Sequence, residues 1–524
     1  MPAAVRPPRR RTLLRVVGYL LAWLVVALPA WLIVFFHSQA PMVVASHDAR
    51  VSPTLDQHSR IEMGPYLPDF RLRNDQLIGV DIDFGKTNAS SAGELVRRYS
   101  VLASRPEPEI RRIRQEVVGL AWDSAFRGAV IGLVPIALWL LLGPRRRAEL
   151  GRPSPSRALV VSTAFGLAAL AVIEPWQDAP HQVTERDWIP LRQAIPELQV
   201  PEELAHVEVQ GGLLTSATRR LISSAFDSFQ KSTKFFEKIE DKADTIAGQL
   251  RRPESDEITA VLVSDRHDNI SMDAVVRRVA DLAGATVILD AGDDTSTGEP
   301  WEAFSLDSLD EAFDDYTARV AVAGNHDNGP FVSQYLKDLG WTHLEGDPVK
   351  PFGDVRFFGV DDPRTSGLGS WRDQAGPLSF DEVRERIADE TCDLGADGRR
   401  VATLLVHDAN LGREALARGC VDLVLAGHLH RQVGPTRVVG ENGKIGYSYT
   451  NGTTGGAAYA IALASKLRRQ AEFTFVTYRD GRPIGLQPVK ISPAGEFTVA
   501  PYIELDFKAP TVVSPLKPPA GRTG

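Results

Sequence analysis

Between Arg15 and His37 the chain runs for 21 residues without a charge, VVGYLLAWLVVALPAWLIVFF. About 20 such residues are what a helix needs to cross a hydrocarbon layer of roughly 30 Å, so residues 16–36 read as a first transmembrane helix. Two shorter apolar runs, residues 128–144 and 158–174, read as a second and a third. A buried helical hairpin would also take up the two shorter runs, and a cleaved signal peptide the first. The flanks favour the membrane. Residues 1–15 hold five arginines and no acid, and residues 145–157 hold five arginines against Glu149, which keeps both on the cytoplasmic side. The loop at 37–127 and everything from 175 onward then face outward. None of the three runs carries Asp, Glu, Lys, Arg or His in its interior, which argues against a transporter and for an anchor.

The other segments follow in order. Residues 37–127 form an outer loop with a β-like stretch near Leu77 to Phe84 and a charged helical pattern at 107–120, too little for a large core of its own. Residues 175–256 read as a linker and helical stalk, 257–508 as the main outer domain, and 509–524 as a proline-rich flexible tail. A net charge of -8 argues against bulk nucleic-acid binding, leaving the lipid bilayer as the expected large partner. Two cysteines, Cys392 and Cys420, exclude a disulfide-rich scaffold or a cysteine zinc cluster. Outside the cytoplasm they are candidates for one bridge, the alternative being two buried thiols.

From residue 258 onward, short apolar runs alternate with helical patterns, the punctuation of an α/β domain. The runs are ITAVLVSD, ATVILDAGD, ARVAVAGNHD, VRFFGVDD, VATLLVHD and VDLVLAGHLH. Nearly all of them end in metal-ligand types: Asp265 and His267, Asp293, Asn325 and His326, His407, then His428 and His430. Loops at the carboxyl ends of strands converge on such sheets. Five of the chain's 11 histidines stand at these ends. Later runs read as hairpin strands, with Asp480-Gly481 as a tight turn.

Taken together and in this order, the blocks D-x-H, G-D, G-N-H-D, H and G-H-x-H resemble the calcineurin-like metallophosphoesterase superfamily. The resemblance implies a four-layer α/β/β/α sandwich, here preceded by the three transmembrane helices, that hydrolyses a phosphoester substrate with two divalent metal ions. Mixed oxygen and nitrogen donors suit Mn, Fe or Zn. By the resemblance, Asp265, His267 and His430 hold one ion, Asn325, His407 and His428 the second, and Asp293 bridges them. His326 faces the substrate as the catalytic residue. Asn269 fits the fuller first block, D-x-H-x-N, as a supporting or phosphate contact, and Arg266 is a further candidate for a substrate phosphate or else a solvated side chain. The segment GDDTSTG departs from the Ser/Thr protein phosphatase pattern, and Ser296 stands where purple acid phosphatases carry a tyrosine. Ser296 also replaces the aspartate that often steadies the catalytic histidine, which leaves Asp327 or Asp294 as the expected partner of His326. A noncatalytic membrane receptor or scaffold that keeps the fold is the alternative reading.

Overall fold

The computed structural model describes residues 9–63, 68–73, 77–87, 95, 98, 99, 107–150, 187–196, 206–211, 216–367, 370–372, 376–457 and 466–508. The chain divides into two compact units, residues 1–89 with 106–224, and residues 90–105 with 225–524.

In the first unit, α1 (Arg9–Phe36) and α2 (Glu107–Leu141) form an antiparallel pair. The Trp23 indole N–H donates to the Ala129 carbonyl at 2.9 Å and that of Trp31 to the Ala121 carbonyl at 3.1 Å. Gly128 permits this approach, since a Cβ there would stand 2.7 Å from the Trp31 nitrogen. The outward faces leave Leu20, Val25, Trp122, Phe126 and Leu138 exposed, an apolar surface that suits lipid. These two are the helices among the described residues long and apolar enough to cross a membrane, where three were expected. The expected third, 158–174, lies outside the described residues. The charged pattern at 107–120 and the run from 128 are one helix of 35 residues, because no breaker separates them before Pro135. At about 1.5 Å per residue it is roughly 52 Å long, so its charged first turns extend past the apolar part.

The outer loop also differs from expectation. Strands β1 (Ala40–Val44), β2 (His47–Thr54), β3 (His58–Glu62), β4 (Phe70–Arg73) and β5 (Gly79–Thr87) join β6 (Trp188–Pro190) and β7 (Val207–Gln210) in a seven-stranded sheet of order β1-β2-β5-β3-β4-β7-β6. Two strands come from the segment read as linker, which is why the loop alone showed too little core. Phe70 pairs with Val209, and Arg71 Nε donates to Glu208 at 2.8 Å across the junction.

The second unit holds two mixed sheets. In the first, β8 (Glu257–Val263), β9 (Val287–Asp290), β10 (Ala318–Ala321) and β11 (Thr342–His343) run parallel. On the other side of β8 lie β19 (Ala471–Arg479), β20 (Arg482–Ile491), β21 (Phe497–Val499) and β22 (Ile503–Glu504), all antiparallel to their neighbours. Asp480 and Gly481, at φ 50 and 74, make the turn between β19 and β20. In the second sheet, β12 (Phe357–Val360), β15 (Val401–Val406), β16 (Val421–Ala426) and β18 (Ile445–Thr450) are parallel, with β17 (Val433–Val439) antiparallel on the edge. A two-stranded hairpin, β13 (Thr365–Gly367) and β14 (Ser370–Arg372), lies between them in sequence.

The parallel strands are apolar on both faces because both are covered. Leu262, Leu289 and Val320 of the first sheet share a buried cluster with Leu405, Leu425 and Tyr449 of the second. The other face of the first sheet, through Val261 and Ile288, meets α4 (Ser271–Ala283), α5 (Ala303–Phe313) and α6 (Phe331–Asp338) through Val276, Leu309 and Leu336. The same cluster takes Phe236 and Ile239 from the long helix α3 (Ser216–Lys242). The other face of the second sheet, through Leu404 and Val424, meets Ile387 of the helix Phe380–Ala396 and Leu416 of the helix Arg413–Ala417. Cys392 lies in the former helix and is bonded to Cys420, with Cα atoms 4.8 Å apart.

Candidate metal centre

The candidate ligands follow the carboxyl ends of β8, β9, β10, β15 and β16, and parallel pairing brings those ends to one edge of each sheet. The backbone there is unusual. Asp265, His267, Asp268, Asp293, His428 and His430 all have φ between 48 and 72, in the left-handed region that non-glycine residues seldom adopt. Such strain persists where surrounding structure enforces it, and it gathers at functional sites. Backbone bonds do the enforcing: the Asp265 N–H donates to Gly292 at 2.8 Å, that of His267 to Asp293 at 3.0 Å and that of Asp268 to Asp294 at 3.0 Å. The loops after β8 and β9 are thereby zipped together.

The donor atoms fall into two groups, Asp265 with His267 and His430, and Asp293 with His407 and His428, each within 4.8 Å of one another. Asp293 Oδ2 lies 3.1 Å from His407 Nε2 and 3.9 Å from His267 Nε2, so one carboxylate reaches both groups. In the first group, His430 Nε2 is 3.3 Å from Asp265 Oδ1. Nδ1–H of His407 donates to the Ala291 carbonyl at 2.7 Å and that of His430 to the Ala457 carbonyl at 3.2 Å, which turns each Nε2 inward. Asn325 Oδ1 and His267 Nδ1 are buried without a hydrogen-bond partner. Burial holds the His267 imidazole neutral, its pKa pushed down to about 3, with a lone pair available. Buried, inward-turned and unsatisfied oxygen and nitrogen donors of this kind fit a pair of divalent cations.

His326 lies beside the first group, its ring 5.1 Å from that of His267. Its backbone N–H donates to Asp293 Oδ1 at 2.7 Å. The expected partner of its ring, Asp327 or Asp294, is not the one found: Nδ1–H donates to the backbone carbonyl of Ser296 at 3.1 Å. Asp327 instead accepts the amide N–H groups of Asp293 at 2.7 Å, Thr295 at 3.0 Å and Gly324 at 2.9 Å, pinning the loops after β9 and β10 to each other. Burial, then Asp294 and Asp293, push its pKa up to about 7.

Arg266 is neither solvated nor aimed at a substrate. Its guanidinium is fully buried, donating to both oxygens of Asp273 at 3.0 and 2.7 Å and to Asp294 at 2.8 Å. Burial opposes its charge, but the two carboxylates hold the pKa above the ordinary value. Asp294 is thus a brace for Arg266. Asn269 is buried too, its amide donating to the Gly455 carbonyl at 2.6 Å, which ties the first ligand loop to the segment behind His430.

Several contributors escaped the sequence reading. Asp273 is a buried acid in the first turn of an otherwise apolar helix face, a signal that was there to read. Glu302 closes a capping box with Glu299 and gathers the amides of the loop that holds Ser296. Asp408, next to His407, has an oxygen 3.9 Å from His428 Nε2 and pairs with Arg364 at 2.8 Å.

No protein-family model matches the chain, and no curated protein does. Two solved structures align with 47% of it: an archaeal phosphodiesterase, over 100% of its own length at 14% identity and a TM-score of 0.26, and the TT1561 protein of Thermus thermophilus, over 98% at 11% identity and a TM-score of 0.28. Alignments this loose carry no weight for function, which rests on the side chains.

Proposed function

We propose that the chain is a membrane-anchored phosphoesterase of the calcineurin-like metallophosphoesterase kind, hydrolysing a phosphomonoester or phosphodiester outside the cytoplasm with two divalent metal ions. The observation that carries this reading is Asp293, whose carboxylate stands 3.1 Å from a histidine of one donor group and 3.9 Å from a histidine of the other. Asp265, His267 and His430 hold one ion in this reading, Asn325, His407 and His428 the other, and Asp293 both. The three apolar clusters support an α/β/β/α sandwich as the scaffold.

Two bound cations of this type supply a water of lowered pKa and positive charge for phosphoryl oxygens. The chain's own part is positional. The carbonyls of Ala291 and Ala457 keep the protons of His407 and His430 on Nδ1, so that Nε2 presents a lone pair. Asp327 fixes the spacing of the Asp293 and Asn325 loops. His326 is held at Nδ1, and as the imidazolium, with a proton on each nitrogen, it can give the Nε2 proton to the leaving oxygen and be left as the neutral Nδ1–H tautomer.

The apolar pair α1 and α2 supports the anchor. The Cys392–Cys420 bridge and the arginine-rich N-terminus support an outward-facing domain. The test is hydrolysis of bis-p-nitrophenyl phosphate and p-nitrophenyl phosphate by the full chain in nanodiscs with Mn. Turnover abolished by chelation is the expected result, and the ratio of the two rates distinguishes diesterase from monoesterase. A folded, metal-loaded chain that turns over neither ester overturns the enzymatic reading in favour of a receptor or scaffold.

A further inference from the structure

The hydrogen bond from His326 Nδ1 ends on a backbone carbonyl, so whatever fixes residues 295–299 also fixes the imidazole. That loop carries five backbone N–H groups that are buried or nearly so and need acceptors. The Thr295 N–H donates to Asp327 at 3.0 Å, and the Gly298 N–H to the Thr295 hydroxyl at 3.1 Å. The other three converge on one side chain: Ser296 N–H donates to Glu302 Oε1 at 3.0 Å, Thr297 N–H to the same oxygen at 3.1 Å, and Glu299 N–H to Oε2 at 2.9 Å. The Thr297 hydroxyl adds a fourth bond to Oε2 at 2.7 Å. Glu302 is fully buried, and the Ser296 hydroxyl is engaged by Asp268. The residue before Glu302, Trp301, is itself 1% exposed and carries the guanidinium of Arg98 4.7 Å above its ring. With its amide held on Glu302 and its hydroxyl on Asp268, Ser296 has its carbonyl left to face His326.

We propose that Glu302 is a positioning residue for His326: by collecting the amides of residues 296, 297 and 299 it aims the Ser296 carbonyl at Nδ1, and so fixes both the tautomer and the direction of Nε2. Ser296 puts no carboxyl group at this position to reach the histidine directly, and the carboxyl group of Glu302, acting through the backbone, takes its place. The catalytic consequence rests on the reading of His326 as the group that meets the leaving oxygen.

Two readouts on the full chain in nanodiscs test it. The first is the nitrogen-15 spectrum of histidine-labelled, metal-free protein, with His326 assigned by His326→Gln. His326 is expected as the Nδ1–H tautomer with a slowly exchanging proton, and Glu302→Gln, which turns an amide group towards the loop's own N–H donors, is expected to shift it to a mixture. The second is the leaving-group dependence of kcat with Mn. Glu302→Gln is expected to lower kcat on an alkyl phosphoester by about 10- to 100-fold, part of what an aligned general acid supplies. It is expected to leave p-nitrophenyl ester turnover within about 3-fold, since that leaving group needs little protonation. KM and metal content stay unchanged.

Thr297→Val, which deletes a single bond to Glu302, gives the same pattern at smaller size and decides the matter if Glu302→Gln does not fold. A His326 signal unmoved by the substitutions, or equal losses on both leaving groups, overturns the proposal. If the unmodified chain hydrolyses neither ester, the phosphoesterase reading fails, and the histidine spectrum alone decides the role of Glu302.

Discussion

The Nε2 atoms of His267 and His430, residues 163 apart in sequence, lie 3.0 Å from each other. The His430 ring donates from Nδ1 to the Ala457 carbonyl, and burial keeps His267 neutral, so both Nε2 atoms face one point, where a cation would take the place of the hydrogen bond between them. His430→Ala removes one donor of three and is expected to lower metal content from two ions per chain towards one, with turnover falling by at least about 10-fold. Elemental analysis of the purified variant checks this. Two ions retained at unchanged affinity would contradict the grouping.

Gly324 has no room for a side chain, because a Cβ there would stand 2.2 Å from Asp293 Oδ1 and 2.8 Å from His407 Nδ1. Gly324→Ala must displace the carboxylate that both donor groups share. Mn affinity by calorimetry is expected to weaken about 10- to 100-fold, and the thermal unfolding temperature to fall with it, since the same Cβ would stand 2.5 Å from the Asp293 backbone nitrogen. Unchanged affinity would remove Asp293 from the centre.

The bridge between Cys392 and Cys420 closes a separation of 28 residues, for which loop entropy gives roughly 3 to 4 kcal/mol of stabilisation. The double substitution to serine is expected to lower unfolding stability by about that amount, read by denaturant titration, without loss of metal. Two titratable thiols in protein taken from its native membrane would contradict an outward-facing domain.

Glu257 supplies a pH dependence away from the metal ligands. It accepts from Arg251 at 2.7 and 2.8 Å and from the Glu254 N–H at 2.9 Å, and also pairs with Arg479. The Arg251 bonds, against burial, hold its pKa down to about 2 from an ordinary 4.5. A carboxyl depressed in the folded state stabilises above its unfolded pKa, so this contribution is complete above about pH 5 and fades as pH falls from 4.5 towards 2. Glu257→Gln is expected to cost about 2 kcal/mol at neutral pH and to flatten the acid limb of the stability curve. Parallel acid limbs would show that the Glu257 pair contributes nothing.

The clustering of the candidate ligands was legible because each is a polar side chain at the end of an apolar run, and parallel strands bring such ends together. The α/β character followed from the same alternation. The braces were not legible, for two reasons. Ala291, Ser296 and Ala457 act through backbone carbonyls, which no side chain announces. Arg266 reads as a surface residue until α4 brings Asp273 beneath it. The seven-stranded sheet was hidden by distance, since Val207–Gln210 gives no sign that its partner is Phe70–Arg73.

A pair of cations joined through Asp293 is tested by the number of Mn ions bound per chain, measured beside Asp293→Asn. Two ions in the unmodified chain, with both weakened together by the single substitution, is the result expected of a shared carboxylate. One ion or none in the unmodified chain, or the loss of only one in Asp293→Asn with the other at full affinity, would contradict it.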